Sequence, residues 1–181
     1  MTNDEALQIL LKTRDSIREI RAPRRSGIYA LFIKSGSRIE SVGILTDTFL
    51  YLGSSSNLAE RGHENHFNSD STGFSTVRRT IGAILKGNLN LRAVPRSRGD
   101  SNTNKTNYKF LPEGEKRLTE WMTNNLEIGM CPIFEGYKDI EKELIILLQP
   151  PLNITGWANP LRQKIMSLRK ICSDEAREYA S

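Results

Sequence analysis

Residues 26–61, SGIYALFIKSGSRIESVGILTDTFLYLGSSSNLAER, decide the fold of this chain. Gly27–Ile33 (GIYALFI) is almost wholly apolar and β-prone, which predicts a central strand buried on both faces, with Tyr29 as its polar exception. Residues 48–53 (TFLYLG) predict a second short strand, stopped by Gly53 and by Ser54, Ser55 and Ser56. Ser56 or Asn57 is placed to cap a helix carrying Leu58, Arg61 and His66. Paired as antiparallel neighbours, the two strands bring Tyr29 and Tyr51 toward one pocket. Residues 34–47, polar with scattered Val42, Ile44 and Leu45, join them as a loop or hairpin.

Working outward, Leu7, Leu10, Leu11, Ile17 and Ile20 recur at helical spacing. They predict an amphipathic helix over residues 1–25, capped by Thr2 or Asn3 and ending near Pro23. Arg21, Arg24 and Arg25 follow it, as phosphate contacts or as a solvated turn. Val77, Ile81, Ile84 and Leu85 predict a helix from which Arg78 and Arg79 project. Residues 86–109 are polar and basic, with Arg96 and Arg98 among them, and read as a functional loop or a mobile connection. Residues 113–125 predict a helix, 128–137 a third strand, and 139–148 a helix stopped by Pro150 and Pro151. A last amphipathic helix carries Leu161, Ile165, Leu168 and Ile171.

The chain of 181 residues is long enough for one ordinary domain with its own core. Lys and Arg number 26 against 21 Asp and Glu, a net charge of +5 that favours a polyanionic partner. Cys131 and Cys172 lie in no Cys or Cys/His cluster, so neither a disulfide framework nor a zinc site is expected, and a reducing, cytoplasmic setting follows. The charged N-terminus has no apolar run of signal-peptide length, and no stretch reaches the roughly eighteen apolar residues of a membrane span. Glycine-rich phosphate loops and cofactor fingerprints are absent, which disfavours a small-molecule enzyme.

The Gly27-Ile28-Tyr29 and Tyr51-Leu52-Gly53 tripeptides are followed by Arg61 ten residues after the second tyrosine, then Glu141 in an apolar helical run, Pro150, and Asn153 twelve positions past that glutamate. This ordered set resembles the GIY-YIG nuclease family over residues 26–155. The resemblance implies a metal-dependent endonuclease that hydrolyses DNA with one Mg²⁺ or Mn²⁺ held by Glu141, a coordination that suits magnesium's reluctance to shed water. It further implies Tyr29 as the group that deprotonates or orients the attacking water, Tyr51 as its hydrogen-bonding neighbour, Arg61 as stabiliser of phosphate charge, and Asn153 as a support for the metal site. The family's lysine after the second motif is replaced by the serines from Ser54 to Ser56, and the position four after the arginine is Asn65, with His63 and His66 as neighbours. We take His66 as the histidine candidate. Glu143 is a local rival to Glu141, but the two point in directions about 200° apart on a helix, so only one faces the sheet.

The expected fold is α/β of the α+β type: a small, mainly antiparallel three-stranded sheet flanked by helices. Residues 1–181 form one domain, with an N-terminal helix over 1–25, a nuclease core over 26–155 and a C-terminal helical extension over 156–181. Arg25, Arg78, Arg79, Arg96 and Arg98 are the candidate nucleic-acid contacts. Duplex or branched DNA is the expected partner, no membrane is expected, and self-association is left open. The short extensions favour a phage, mobile-element or restriction-defence setting. The rival is a nucleic-acid-binding module that has kept this fold and lost cleavage.

Overall fold

A computed structural model describes residues 1–60, 65–67, 72–97 and 101–179. The contacts divide the chain into two compact units, residues 1–64 with 123–160 and residues 65–122 with 161–181. The first is built on an antiparallel sheet in the order β1 (Asp15–Ser16), β6 (Leu126–Pro132), β2 (Gly27–Ile33), β3 (Phe49–Ser55). The class is as expected, but the sheet has four strands rather than three. The extra one is the two-residue β1, and β6 ends at Pro132, short of the expected 137.

β2 lies between β3 and β6, and all seven of its residues are buried. Its even-numbered residues Ile28, Ala30 and Phe32 join Leu52, Cys131 and Ile133 in one core with Ala6 and Leu10 of α1 (Asn3–Lys12) and Leu144 and Ile145 of α6 (Tyr137–Leu148). This is period-2 alternation meeting helical i, i+4 spacing. Burial in that core pushes the Cys131 thiol up to about 11.

α1 begins with a reciprocal cap, in which Glu5 N donates to Thr2 Oγ1 at 3.2 Å and Thr2 N donates to Glu5 Oε2 at 2.7 Å. It stops at Lys12 instead of running to Pro23 because the next residues turn into the sheet: Asp15 pairs with Ile128, Ser16 with Glu127. Arg14 holds the corner, its Nε 2.5 Å from Glu127 Oε2 and its Nη2 3.0 Å from Asp47 Oδ1. Ile17 is buried all the same, which is why its spacing mimicked a continuing helix. The helix end presses on β6 at Gly129, where a Cβ would come within 2.1 Å of Leu10 O.

The second unit contains α2 (Asn65–Phe67), α3 (Thr76–Ile84), β4 (Ala93–Val94), α4 (Asn102–Thr106), β5 (Lys109–Phe110), most of α5 (Pro112–Asn125) and α7 (Arg162–Tyr179). α7 packs on α3, α4 and β4. The stretch 86–109 therefore carries ordered elements where a loop was expected, and β4 pairs with β5 through Ala93 and Phe110. Among the described residues, no helix is long and apolar enough to cross a membrane.

Candidate functional site

The register of β2 and β3 sets Tyr29 opposite Gly53 and Leu31 opposite Tyr51, so both phenols share one face of the sheet. Their ring centroids are 6.2 Å apart with planes inclined at 40°. Tyr29 is 2 % exposed and Tyr51 is half-buried. The glycine that closes the second tripeptide makes room for this arrangement, since a Cβ on Gly53 would fall 2.5 Å from the Tyr29 hydroxyl oxygen and 2.6 Å from Cζ.

Because the ring is enclosed, it has little space to yield. Gly53→Ala is expected to destabilise the fold by about 1–3 kcal/mol through overpacking. In a Tyr29→Leu background, which removes the colliding atoms, the same change should cost markedly less. Urea midpoints of the four proteins measure this, and additive losses would refute the packing account.

Glu141 lies in α6, which packs on β3. Its half-buried carboxylate accepts a hydrogen bond from the hydroxyl of Ser54 through Oε2. Ser54 is the residue after Gly53, so the Tyr29 ring and the Glu141 carboxylate are anchored at successive residues of β3, on opposite faces of that strand. Glu143 points elsewhere, accepting from Asn3 Nδ2 at 2.7 Å. The twelve-residue step to Asn153 favours Glu141 of the two.

Asn153 is buried and bonds β3 itself: Leu52 N donates to its Oδ1 and its Nδ2 donates to Leu52 O, both at 2.8 Å. Leu152 N adds a bond to Leu50 O at 3.0 Å. The amide thus completes the ladder of an edge strand between Tyr51 and Gly53, a positioning task. Asn159 in turn donates to Asn153 O at 3.0 Å.

Beside Ser54, a groove is lined by Ser54, Ser55, Ser56, Tyr137 and Lys138. Lys138 is exposed, and no anion pairs with it among the described residues. Its side chain lines the same groove as Ser54, Ser55 and Ser56, reaching it from α6. Sequence spacing missed it because the match was sought after Tyr51, though Lys138 precedes Glu141 by three positions on one helix, a spacing that puts both on similar sides.

Arg61 and Arg98 lie outside the described residues, as does His63. In the second unit, Arg78 is not a surface contact. It is fully buried, pairs with the equally buried Glu115 at 2.8 Å, and donates to His66 O and Thr119 Oγ1. Arg79 is also buried, donating to Gly73 O at 2.8 Å and Thr76 Oγ1 at 3.1 Å. Burial, reinforced by Arg169, lowers its guanidinium to about 10. The amphipathic period could not reveal that Arg78 has its partner on α5, or that Arg79 folds back onto Gly73 and Thr76. His66 is buried as well, with Nδ1 2.7 Å from Ser75 Oγ, the cap of α3. Arg96 is half-buried with its guanidinium 5.0 Å from the centre of the Phe74 ring. Arg25 is exposed.

No curated protein and no solved structure matches the chain. The family model of the GIY-YIG catalytic domain matches residues 27–171, from the glycine that opens β2 into α7, and so takes in both tyrosines, Glu141 and Asn153. The chain accordingly belongs to the GIY-YIG family and carries its nuclease catalytic domain.

Proposed function

We propose that the chain is a DNA endonuclease that hydrolyses phosphodiester bonds with one Mg²⁺ or Mn²⁺ held by Glu141. The observation that supports this most is the half-buried Glu141 carboxylate, held by the Ser54 hydroxyl beside a groove that Ser54 lines together with Lys138. Nucleases of this family generally depend on a divalent metal, and the donors present suit one. A carboxylate and serine hydroxyls are hard oxygen ligands, and among the described residues no cluster of three or more His, Cys, Asp or Glu side chains offers a zinc-like cage. When bound, the metal would neutralise phosphate charge and lower the pKa of water.

Tyr29, fixed by its burial, would orient the attacking water or take its proton, and Tyr51 would hydrogen-bond the water or a phosphate oxygen. Arg61 would stabilise charge developing on the phosphate with its planar set of donors. Asn153 acts at one remove, by holding the backbone of β3. Lys138 would supply a cation to the serine-lined groove. A catalytic duty for His66 would have to coexist with its bond to Ser75.

Supercoiled plasmid incubated with the protein and millimolar Mg²⁺ or Mn²⁺ should be nicked, with no product in EDTA, and Arg61→Ala should abolish nicking while its circular dichroism stays unchanged. Protein that binds the plasmid yet leaves it supercoiled with either metal would replace this reading with the binding-module rival, which the serine at position 54 favours.

A further inference from the structure

Among the described residues, the most exposed large apolar side chain is Phe134, at 88 %. It sits just past the end of β6, on backbone that is tied down. Ile133 N donates to Ser26 O at 2.9 Å, and the Ser26 hydroxyl donates to Ile133 O at 2.7 Å. Gly27 permits the close approach behind it, since a Cβ there would lie 2.2 Å from Cys131 O. Across a hollow from Phe134 stand Arg24 and Arg25, both exposed and with no acidic partner among the described residues. Their backbone is fixed too: Leu58 N donates to Arg25 O at 2.9 Å and Ala59 N to Pro23 O at 3.1 Å. Ser56 lines both this hollow and the groove that runs past Ser54 to Lys138.

Resting on the nuclease reading above, we propose that this hollow binds an unpaired nucleotide next to the scissile phosphate, with its base stacked on Phe134 and its flanking phosphates on Arg24 and Arg25. A phenyl ring held in solvent beside two unneutralised guanidinium groups combines an apolar platform with anion contacts, the chemistry that single strands use. Intact duplex offers such a ring no base face, because its bases are stacked on one another. Continuity through Ser56 puts the platform on the track of the strand that meets Glu141. The preferred substrate therefore carries unpaired bases at the cut, as an overhang, flap or gap, rather than continuous duplex.

The test is fluorescence anisotropy in EDTA with the full chain, comparing a blunt duplex and the same duplex bearing a single-stranded overhang, together with cleavage of both in Mg²⁺. The wild type should favour the overhang by about tenfold or more, the lower range of one stacked base. Phe134→Ala and Phe134→Leu should both erase that preference while leaving blunt-duplex binding unchanged, and Phe134→Trp should keep it. Arg24→Ala with Arg25→Ala should weaken overhang binding and flatten its salt dependence. Equal affinity of the wild type for both oligonucleotides, or an overhang preference that survives Phe134→Leu, would overturn the proposal. Cleavage with no effect of residue 134 on substrate choice would remove the platform and leave the nuclease standing. Phe134-dependent overhang binding without cleavage under any metal would do the reverse.

Discussion

Glu141→Gln is expected to lower plasmid nicking by about a thousandfold or more, because the variant keeps the size and acceptor oxygen of the side chain but loses the charge that would hold the cation, whose stabilisation of the transition state is worth several kcal/mol. The substitution should be quiet in stability. Glu141 is half-buried and its described hydrogen bond is to the hydroxyl of Ser54, which a glutamine oxygen can still accept. A urea midpoint close to wild type together with lost nicking would therefore separate chemistry from folding. Ser54→Ala removes the donor but not the charge, so its loss should be much smaller, on the order of tenfold, and partly recovered at high Mg²⁺ because a looser carboxylate binds metal less well. Nicking by Glu141→Gln at the wild-type rate would assign the metal to another residue and end the present site.

The largest loss of stability is expected in the other unit. Glu115→Ala should destabilise it by about 3–5 kcal/mol, the range for stripping one partner from a buried ion pair. Arg78 and Glu115 are both fully buried, and the carboxylate also accepts from Thr72 Oγ1 at 2.7 Å and from Phe110 N at 2.9 Å. Removing it takes the Glu115 carboxylate away from an enclosed guanidinium and strips the Thr72 hydroxyl and the Phe110 N–H of that acceptor. Such a loss is a large part of the 5–15 kcal/mol typical of a whole domain. The double replacement Arg78→Met, Glu115→Leu should cost less than Glu115→Ala alone, since the guanidinium is then removed together with the carboxylate. Chemical denaturation followed by circular dichroism decides it, and a loss below about 1 kcal/mol for Glu115→Ala would contradict the burial of the pair.

The parts of the structure that sequence made legible are those governed by short-range periodicity. β2 falls on the predicted residues because seven apolar, β-prone positions in a row leave it no exposed face. α6 begins two residues before the expected 139 and ends at Leu148, ahead of Pro150 and Pro151. The failures are long-range. Nothing near Arg78 in the sequence announces Glu115, thirty-seven positions away, so an arginine that looks like a surface charge belongs to the interior. Ile17 lies in register with α1 yet is buried by the turn into β1. Residues 86–109 look like linker because β4 and β5 are two residues each, too short to produce a pattern.

The candidate site divides in the same way. Tyr29, Tyr51, Glu141 and Asn153 are candidates through a family resemblance that their order and spacing carry, whereas the bond from Ser54 to Glu141, the clamp of Asn153 on Leu52 and the groove position of Lys138 depend on how helix and strand meet. Gly53 illustrates both levels. Its place in the tripeptide is visible at once, but the reason for it, a phenol lying where a methyl group would go, belongs to the opposite strand.

The clamp on the outer strand also bears on how two copies of the chain could meet. Leu50 O and both main-chain groups of Leu52 are already taken by residues 152 and 153. A second molecule cannot add its own strand there without first prising that segment away. If double-strand breaks require a pair of these proteins on one stretch of DNA, the two would not join through this stretch of β3.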